Sequence, residues 1–155
     1  MIKMTEKKIK IKIRKAKLSD VNAVYKTGVE MKELGFSGKY KFHQKAELKE
    51  FAAPKKDNVF IVAEADGQVV GFVYAKIIDW SRPGWAMLDN LAVKSEYRKH
   101  GIGTHLISAL YKELKKRKVH YVQILEEIHH KSTRKFWKEK GFKETKVFVW
   151  AERNI

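Results

Sequence analysis

Apolar and polar residues follow two different periods in the first third of the chain. Residues 9–14 alternate Ile with Lys or Arg, a period of two that is typical of a strand with one buried face. Ser19-Asp20 then precedes apolar positions at helical spacing, which predicts a capped helix ending near Leu34-Gly35. A weaker helical pattern covers residues 44–51. The chain is therefore predicted to begin with one strand and two helices.

Three strands in succession are predicted for the middle of the chain. Residues 59–65 and 69–74 are largely apolar, and the Asp66-Gly67 dipeptide between them favours a two-residue hairpin turn. A second turn at residues 81–84, Ser-Arg-Pro-Gly, leads into a strand over residues 85–93. Short connections of this kind join antiparallel neighbours, so the segment predicts a meander.

The last third of the chain alternates between helix and strand patterns. Apolar residues on one helical face follow residue 101 and end in a basic run at residues 115–118, where cations suit a helix C-terminus. The pattern then predicts a strand over 119–125, a glycine-closed helix over 132–140 and a final strand over 146–152.

Composition is that of one globular domain over residues 1–155. Hydrophobic residues make up 44% and charged residues 34%, and the length suffices to bury a single core without disulfides or metals. Because the chain has no cysteine, disulfides, thiolate nucleophiles and cysteine-ligated zinc are excluded. Residues 1–17 mix Lys with Ile and do not form the apolar stretch of a signal peptide, and no apolar run approaches the length of a membrane span. We expect a cytoplasmic protein with no membrane partner.

The chain carries a large surplus of positive charge. Lys and Arg total 34 against 18 Asp and Glu, a formal net charge of +16. Such a surplus attracts nucleic acids, acidic proteins or phosphorylated cofactors, and it does not choose among them. A solvated lysine-rich surface is the alternative.

A loop with two glycines, residues 98–103, joins the strand over 85–93 to the clearest helix. Glycine permits positive φ and removes the Cβ atoms that would keep a phosphate from the backbone N–H groups at a helix start. Arg98 and Lys99 add positive charge beside it. The loop lacks the Lys-Ser/Thr pair of a Walker A motif, and it follows four strands, unlike the first turn of a Rossmann unit. It is therefore either a tight turn or a site for another phosphorylated ligand.

Two motifs resemble those of the GNAT acetyltransferase superfamily. Residues 88–93, Leu-Asp-Asn-Leu-Ala-Val, are followed by Arg98-x-x-Gly101-x-Gly103 and an amphipathic helix, as in motif A of that family. Residues 136–142, Phe-Trp-Lys-Glu-Lys-Gly-Phe, resemble motif B. The resemblance covers nearly the whole chain and implies an α/β (α+β) fold: a mixed, mostly antiparallel sheet of six to seven strands flanked by about four helices.

The resemblance implies acetyl-CoA as the acyl donor. Backbone groups of the strand in motif A are expected to hydrogen-bond the pantetheine amides, and amides of the glycine loop to hold the pyrophosphate. The helix of motif B is expected to add further contacts. The implied cofactor-binding residues are Leu91, Ala92, Val93, Arg98, Lys99, His100, Gly101, Ile102, Gly103, Thr104, His130, Phe136 and Trp137.

Attack of an amine on a thioester requires a neutral amine, so a general base is expected near the sulfur. Asp89 aligns with an acidic residue that some members of the family carry on this strand. Period-two alternation puts it on one strand face with Leu91 and Val93. A solvent-facing or turn-capping aspartate is the alternative. Glu126, next to Glu127 at the end of the fifth predicted strand, is the second candidate for the catalytic carboxylate.

Two positions depart from the family's pattern. Trp137 stands where many relatives have a tyrosine proposed to protonate the leaving thiolate, and indole is not a useful acid, so no general acid is assigned. His130 stands where the family often has an asparagine that contacts the cofactor. His129 and His130 are adjacent on a loop, where simple exposure is more common than proton transfer. No metal site is expected, because no pair of ligands has helical or finger-type spacing.

Together these residues predict an N-acetyltransferase that transfers an acetyl group from acetyl-CoA to a primary amine of a protein, peptide or small molecule by direct attack on the thioester. A non-catalytic acyl-CoA-binding regulatory domain is the alternative, prompted by Trp137 and His130. The charge prompts another, a nucleic-acid- or ribosome-binding module, although nucleic acid is not required and no helix-turn-helix or zinc finger supports it. A homodimer is left open. Aromatic candidates for the acceptor site are Phe36, Tyr40, Trp80 and Trp85.

Overall fold

The computed structural model describes residues 9–31, 34, 41–78 and 83–155. The chain divides into two compact units, Met1–Leu125 and Glu126–Ile155. No helix in the described ranges is both long and apolar enough to cross a membrane.

The first unit contains one sheet. Its strands are β1 (Ile11–Lys15), β2 (Asn58–Ala65), β3 (Gln68–Ile77), β4 (Trp85–Val93) and β5 (Tyr121–Gln123). They lie side by side in sequence order; β1 to β4 are antiparallel, and β5 is parallel to β4. The predicted meander is confirmed. Asp66 and Gly67 both have positive φ, 49° and 81°, as a type I′ hairpin turn requires.

The helices described in the first unit are α1 (Val21–Glu30), α2 (Lys45–Ala52) and α3 (Ile102–Lys116), and the second unit holds α4 (Lys131–Glu139). The helix prediction is confirmed, with shifted ends. Helix α1 stops well before Leu34, because the backbone is already extended at Met31. Asp20 does not cap α1 through its side chain. Its carboxylate instead accepts from the Lys17 N–H at 2.7 Å and from the Arg14 guanidinium at 2.7 and 2.9 Å, which ties the start of α1 to β1.

The two faces of the sheet pack against different helices. Phe72 and Tyr74 of β3 belong to the core cluster to which α1 and α2 contribute Val24 and Leu48. The Cβ position of Gly71 is on the opposite face, because a Cβ added there would lie 3.4 Å from the side chain of Leu106 in α3. Because successive strand residues point to opposite faces, α3 covers the face opposite α1 and α2. We call these the α3 face and the α1–α2 face.

In the part of the chain that the structure describes, the sheet has five strands, fewer than the six to seven predicted. Residues 146–152 are irregular instead of forming a final strand. The four large apolar side chains of this segment are between 73% and 91% exposed: Val147, Phe148, Val149 and Trp150. Alternating residue types indicate a strand, but a strand also needs a neighbour for its backbone hydrogen bonds, and that neighbour is not encoded locally. β5 is likewise shorter than the predicted 119–125, since the N–H of Val119 donates to Leu114 at the end of α3.

Candidate active site

Strands β4 and β5 separate part-way along their length. They pair over only three positions, from Trp85–Tyr121 to Met87–Gln123. β4 continues to Val93, and within the described ranges its residues beyond Met87 pair with β3 alone. One edge of β4 is therefore open along the half that leads into the glycine loop.

Alternation decides which backbone groups point to this open edge. The N–H of Lys94 donates to Val70 of β3 at 2.8 Å, so Ala92, two residues earlier, also turns its backbone toward β3. Its carbonyl oxygen would lie 2.8 Å from a Cβ added at Gly71, in agreement with that direction. The backbone N–H and C=O groups of Leu91 and Val93 point to the open edge. The predicted contacts with the pantetheine amides therefore fit the backbone groups of Leu91 and Val93, whereas those of Ala92 are directed at β3.

The glycine loop has the left-handed geometry that its sequence predicts. Lys99 and Gly101 have φ of 62° and 76°, and α3 begins immediately afterwards. The first hydrogen bond of the helix ladder runs from the His105 N–H to the Gly101 carbonyl at 3.0 Å. The N–H groups of Ile102 and Gly103 precede that ladder and point out of the helix N-terminus, the arrangement that favours an anion.

Arg98 has a structural role that the sequence did not suggest. Its N–H donates to Ser95 at 3.2 Å, so this amide is not directed at a ligand. Its guanidinium donates through Nε to the Val93 carbonyl at 3.0 Å and lies 3.0 Å from the Met31 sulfur. Arg98 therefore fixes the loop to the end of β4. Lys99, His100 and Gly101 are exposed, as is Arg98 itself.

Asp89 occupies a β-bulge. Tyr74 opposes Asn90 and the next β3 residue, Ala75, opposes Leu88, so Asp89 is an extra residue with no partner on β3. Opposed residues share a face, so the bulge reverses the alternation: Leu88 lies on the α3 face with Ala75, and Asn90 lies on the α1–α2 face with Tyr74. No feature of residue types along β4 reveals this reversal.

The environment of Asp89 puts its carboxylate on the α1–α2 face. Burial raises its pKa, and the positive field of His43 and Lys76, which both belong to that side, opposes the rise. The pKa of Tyr74 is also raised, first by burial and then by the charge of Asp89. Asp89 is exposed, and burial is nevertheless the first cause of the raised pKa of its carboxyl group. The predicted sharing of one face with Leu91 and Val93 is wrong, because the bulge intervenes.

His43 and Asn90 were missed by sequence reasoning. The Nε2 atom of His43 lies 3.0 Å from the Asn90 Oδ1 atom, and Asn90 is only 6% exposed. The imidazole packs edge-on against Phe51, with ring centroids 5.1 Å apart, and Phe51 stacks on Tyr74 at 4.1 Å. Asn90 stands next to Asp89 in motif A, which is a usable signal. No local sequence signal marks His43, since its contact with Asn90 spans 47 residues of sequence.

Glu126 lies in the second unit beside an ion pair. Arg134 donates to both carboxylate oxygens of Glu144, at 2.7 and 2.8 Å. Burial, and then the charge of Glu144, raise the pKa of Glu126, while Arg134 opposes the rise. The Oε1 atom of Glu126 is buried and has no hydrogen-bond partner in the described part of the chain. One of the two carboxylate oxygens of Glu126 is thus desolvated, which suits a general base.

The other candidates of the second unit are held by local contacts. His130 precedes α4, and its Nε2 atom lies 3.6 Å from Glu127. Trp137 is 6% exposed and packs edge-on against Phe136 and Phe142, with centroids 5.1 and 5.2 Å apart. His129 is exposed. The indole of Trp137 is therefore a packing group in this unit.

Of the aromatic candidates for the acceptor site, Trp85 is described, whereas Phe36, Tyr40 and Trp80 lie outside the described residues. Trp85 stacks on Tyr121 of β5 with ring centroids 4.0 Å apart. Among the residues that the structure describes, no three His, Asp or Glu side chains converge as metal ligands.

The model of the acetyltransferase (GNAT) family matches residues 28–142. The chain belongs to this family. It is 31% identical over 147 residues to an N-alpha-acetyltransferase of Sulfurisphaera tokodaii, covering 88% of this chain and 82% of that protein. Residues 28–142, which the family model matches, include the open edge of β4, the bulge at Asp89 and the glycine loop.

Solved structures agree on the fold. The PaiA N-acetyltransferase of Thermoplasma acidophilum, in complex with coenzyme A, is 24% identical, with a TM-score of 0.80 over 90% of this chain and 93% of that one. The ribosomal-protein-S18-alanine N-acetyltransferase of Escherichia coli is 18% identical, with a TM-score of 0.71 over 88% and 80% of the two chains. Family, relative and fold together identify an N-acetyltransferase, and they favour catalysis over the non-catalytic alternative.

Proposed function

We propose that the protein transfers an acetyl group from acetyl-CoA to the α-amino group at the N-terminus of a polypeptide. The observation that carries this proposal is the position of Asp89, an unopposed carboxylate on a bulge at the point where β4 and β5 separate. A relative 31% identical, named an N-alpha-acetyltransferase, supports the choice of acceptor. We also propose that residues 1–155 act as a single acetyltransferase domain.

The donor half of the site follows from the open edge and the loop. The outward backbone groups of Leu91, and the N–H of Val93, are suited to pantetheine amides, because those amides pair with a strand edge as a further strand would. The pyrophosphate suits the N–H groups that start α3, with Lys99 and His100 adding donors nearby. Contacts from Thr104, His130, Phe136 and Trp137 remain part of the proposal.

The acceptor half of the reaction needs a proton acceptor. An α-amine has a pKa of about 8, so a large fraction arrives as ammonium near neutral pH. Asp89 attracts this ammonium and takes its proton, directly or through one water. The neutral nitrogen then attacks the thioester carbon, and a C–N bond forms. The raised pKa of Asp89 makes it a stronger base than an aspartate with an ordinary pKa.

The thioester oxygen gains negative charge as the amine adds, and a backbone N–H on the open edge is suited to stabilise it. Leu91 supplies the first such group after the bulge. Collapse of the intermediate breaks the C–S bond and releases the thiolate of coenzyme A, and the second proton of the nitrogen passes to that thiolate through solvent, which leaves a neutral amide and a free thiol. Thiols have pKa values of about 8.5, so the thiolate leaves without a strong acid. For this reason, the buried indole of Trp137 does not argue against catalysis.

Glu126 remains the second candidate for the base, on the strength of its buried, unpartnered oxygen. Asp89 is preferred, because it stands at the separation of β4 and β5, where the donor's reactive end is expected. Substitution of each carboxylate by its amide separates the two assignments.

The test is release of free thiol from acetyl-CoA with a panel of acceptors. The panel contains a peptide with a free N-terminus and no lysine, the same peptide with a blocked N-terminus and one lysine, and a small polyamine. We expect turnover with the first peptide alone. Asp89→Asn is expected to lower kcat by at least about 100-fold, the lower range for a general base. Asp66→Asn, the same change in the exposed hairpin turn, is the matched control and keeps full activity. Turnover on the polyamine alone contradicts the proposed acceptor.

A further inference from the structure

One face of β4 continues from Asp89 toward the N-terminal end of the strand. Lys76 of β3 opposes Met87, so these two side chains share the α1–α2 face, and Trp85 lies on it two residues earlier. Trp85 is paired with Tyr121 of the edge strand β5. We call these five residues, Asp89, Met87, Lys76, Trp85 and Tyr121, the acceptor face.

The acceptor face carries three kinds of chemistry in a fixed order. Asp89 supplies a carboxylate at one end, and Lys76 supplies an exposed ammonium group at the level of Met87. The rings of Trp85 and Tyr121 form an apolar pair at the other end, with centroids 4.0 Å apart and a tilt of 31°. Tyr121 is 41% exposed, so this ring pair is accessible from solvent. An exposed aromatic pair on the same strand face as the candidate base is suited to bind substrate.

The spacing along β4 matches an extended peptide. A strand rises about 3.3 Å per residue, which puts Met87 and Lys76 about 7 Å from Asp89 and Trp85 about 13 Å from it. A peptide in the same extended conformation has the same rise, and its first, third and fifth side chains point to one side. If its N-terminal amine lies at Asp89, its third residue reaches Lys76 and its fifth reaches the ring pair.

We propose that the acceptor face binds the first five residues of an extended polypeptide, selecting an acidic side chain at the third position through Lys76 and an apolar side chain at the fifth through Trp85 and Tyr121. The inference rests on the proposed function and adds the substrate class. Charge complementarity identifies the occupant: an ammonium group suits Asp89, a carboxylate suits Lys76, and the two follow one another along one strand of substrate.

The test compares kcat/KM for peptides that differ at one position. The parent peptide has alanine first, glutamate third and leucine fifth, with glycine between; one variant has lysine third and another has alanine fifth. Wild-type enzyme is expected to prefer glutamate over lysine at the third position by about fivefold, the range of an exposed ion pair. Lys76→Glu is expected to reverse the preference. Lys112→Glu, the same charge change on α3, is the matched control and preserves it.

The fifth position is tested with the ring pair. Leucine is expected to exceed alanine by about tenfold in kcat/KM with wild-type enzyme, as partial burial of an apolar side chain predicts. Trp85→Ala removes this difference and leaves the third-position preference. If Trp85→Ala does not fold, Tyr121→Ala on the exposed edge provides the same comparison. Equal use of all peptides by wild-type enzyme, or a uniform loss in Lys76→Glu, overturns the inference and leaves the proposed function intact. No turnover with any peptide contradicts both.

Discussion

Replacing Gly28 with alanine tests how tightly α1 packs in the first unit. A Cβ at this position would lie 2.3 Å from two carbon atoms of the Phe42 ring. Phe42 is 1% exposed and also contacts Phe72, with centroids 5.8 Å apart. The ring or the helix must therefore move by about 1 Å to restore ordinary contact. Neither can do so without disturbing the core between α1 and the sheet.

Two opposing effects set the size of the change. Overpacking a close-packed core costs about 1–3 kcal/mol, and the rigid aromatic neighbours here favour the upper value. Alanine is the better helix former by about 1 kcal/mol, which offsets part of that cost. We expect Gly28→Ala to lower the free energy of unfolding by about 2 kcal/mol, the difference between the two. For a chain of this length the melting temperature then falls by roughly 4–8 °C.

Urea denaturation with an unchanged m-value measures the loss, and a double-mutant cycle identifies its cause. In a Phe42→Leu background the smaller side chain makes room for the new methyl group. There Gly28→Ala is expected to be neutral or to stabilise by about 1 kcal/mol through helix propensity. A Gly28→Ala protein as stable as wild type, or an equal loss in both backgrounds, would refute the packing argument.

Three further outcomes are expected. Gly101→Ala and Gly67→Ala each introduce a side chain at positive φ and are expected to lose roughly 1 kcal/mol of stability. Only Gly101→Ala is expected to lose the thermal stabilisation that coenzyme A provides. Equal stabilisation of both variants by coenzyme A contradicts the role of the loop. Asp89→Asn is expected to be more stable than wild type at pH 7. A carboxyl group whose pKa is raised in the folded state contributes stability at low pH, and this stability is lost as the pH rises through that pKa. The difference in stability between variant and wild type is therefore expected to disappear below about pH 4 in thermal melts. Burial disfavours the charged form of Asp20, but hydrogen bonds from Arg14 and Lys17 outweigh it and lower its pKa. The stability that Asp20 contributes is therefore full above about pH 4 and falls as the solution is acidified through the lower, folded-state pKa. Asp20→Asn is expected to lose roughly 2 kcal/mol at pH 7 and to show a flatter acid limb in urea titrations.

Local signals were sufficient for most of the fold. The Asp66-Gly67 turn and the bounds of β4 follow from neighbouring residues alone, since turn chemistry and apolar alternation act within a few positions. The glycine loop was likewise readable, because positive φ at Gly101 is a property of the residue itself. What these features share is that no distant partner decides them.

The parts that were missed depend on distant partners. Residues 146–152 have the composition of a strand, yet they are irregular, because strand formation requires a neighbour. The contact of His43 with Asn90 joins residues 47 positions apart. The bulge at Asp89 depends on the register between β3 and β4, which residue types do not specify. The identity of the candidate base was predictable, whereas the face to which it points was not.

The bulge also affects how variation in β4 should be interpreted. One extra residue at Asp89 puts the two halves of the strand out of phase, so even-numbered positions face α3 up to Leu88 and face the opposite side from Asn90 onward. A saturation mutagenesis map of residues 85–93 is therefore expected to change phase at Asp89. Deleting this single residue would restore continuous pleating, and the side chains in one half of the strand would then point to the opposite faces of the sheet. A sequence alignment that omits this extra residue would assign every following side chain of β4 to the wrong face of the sheet.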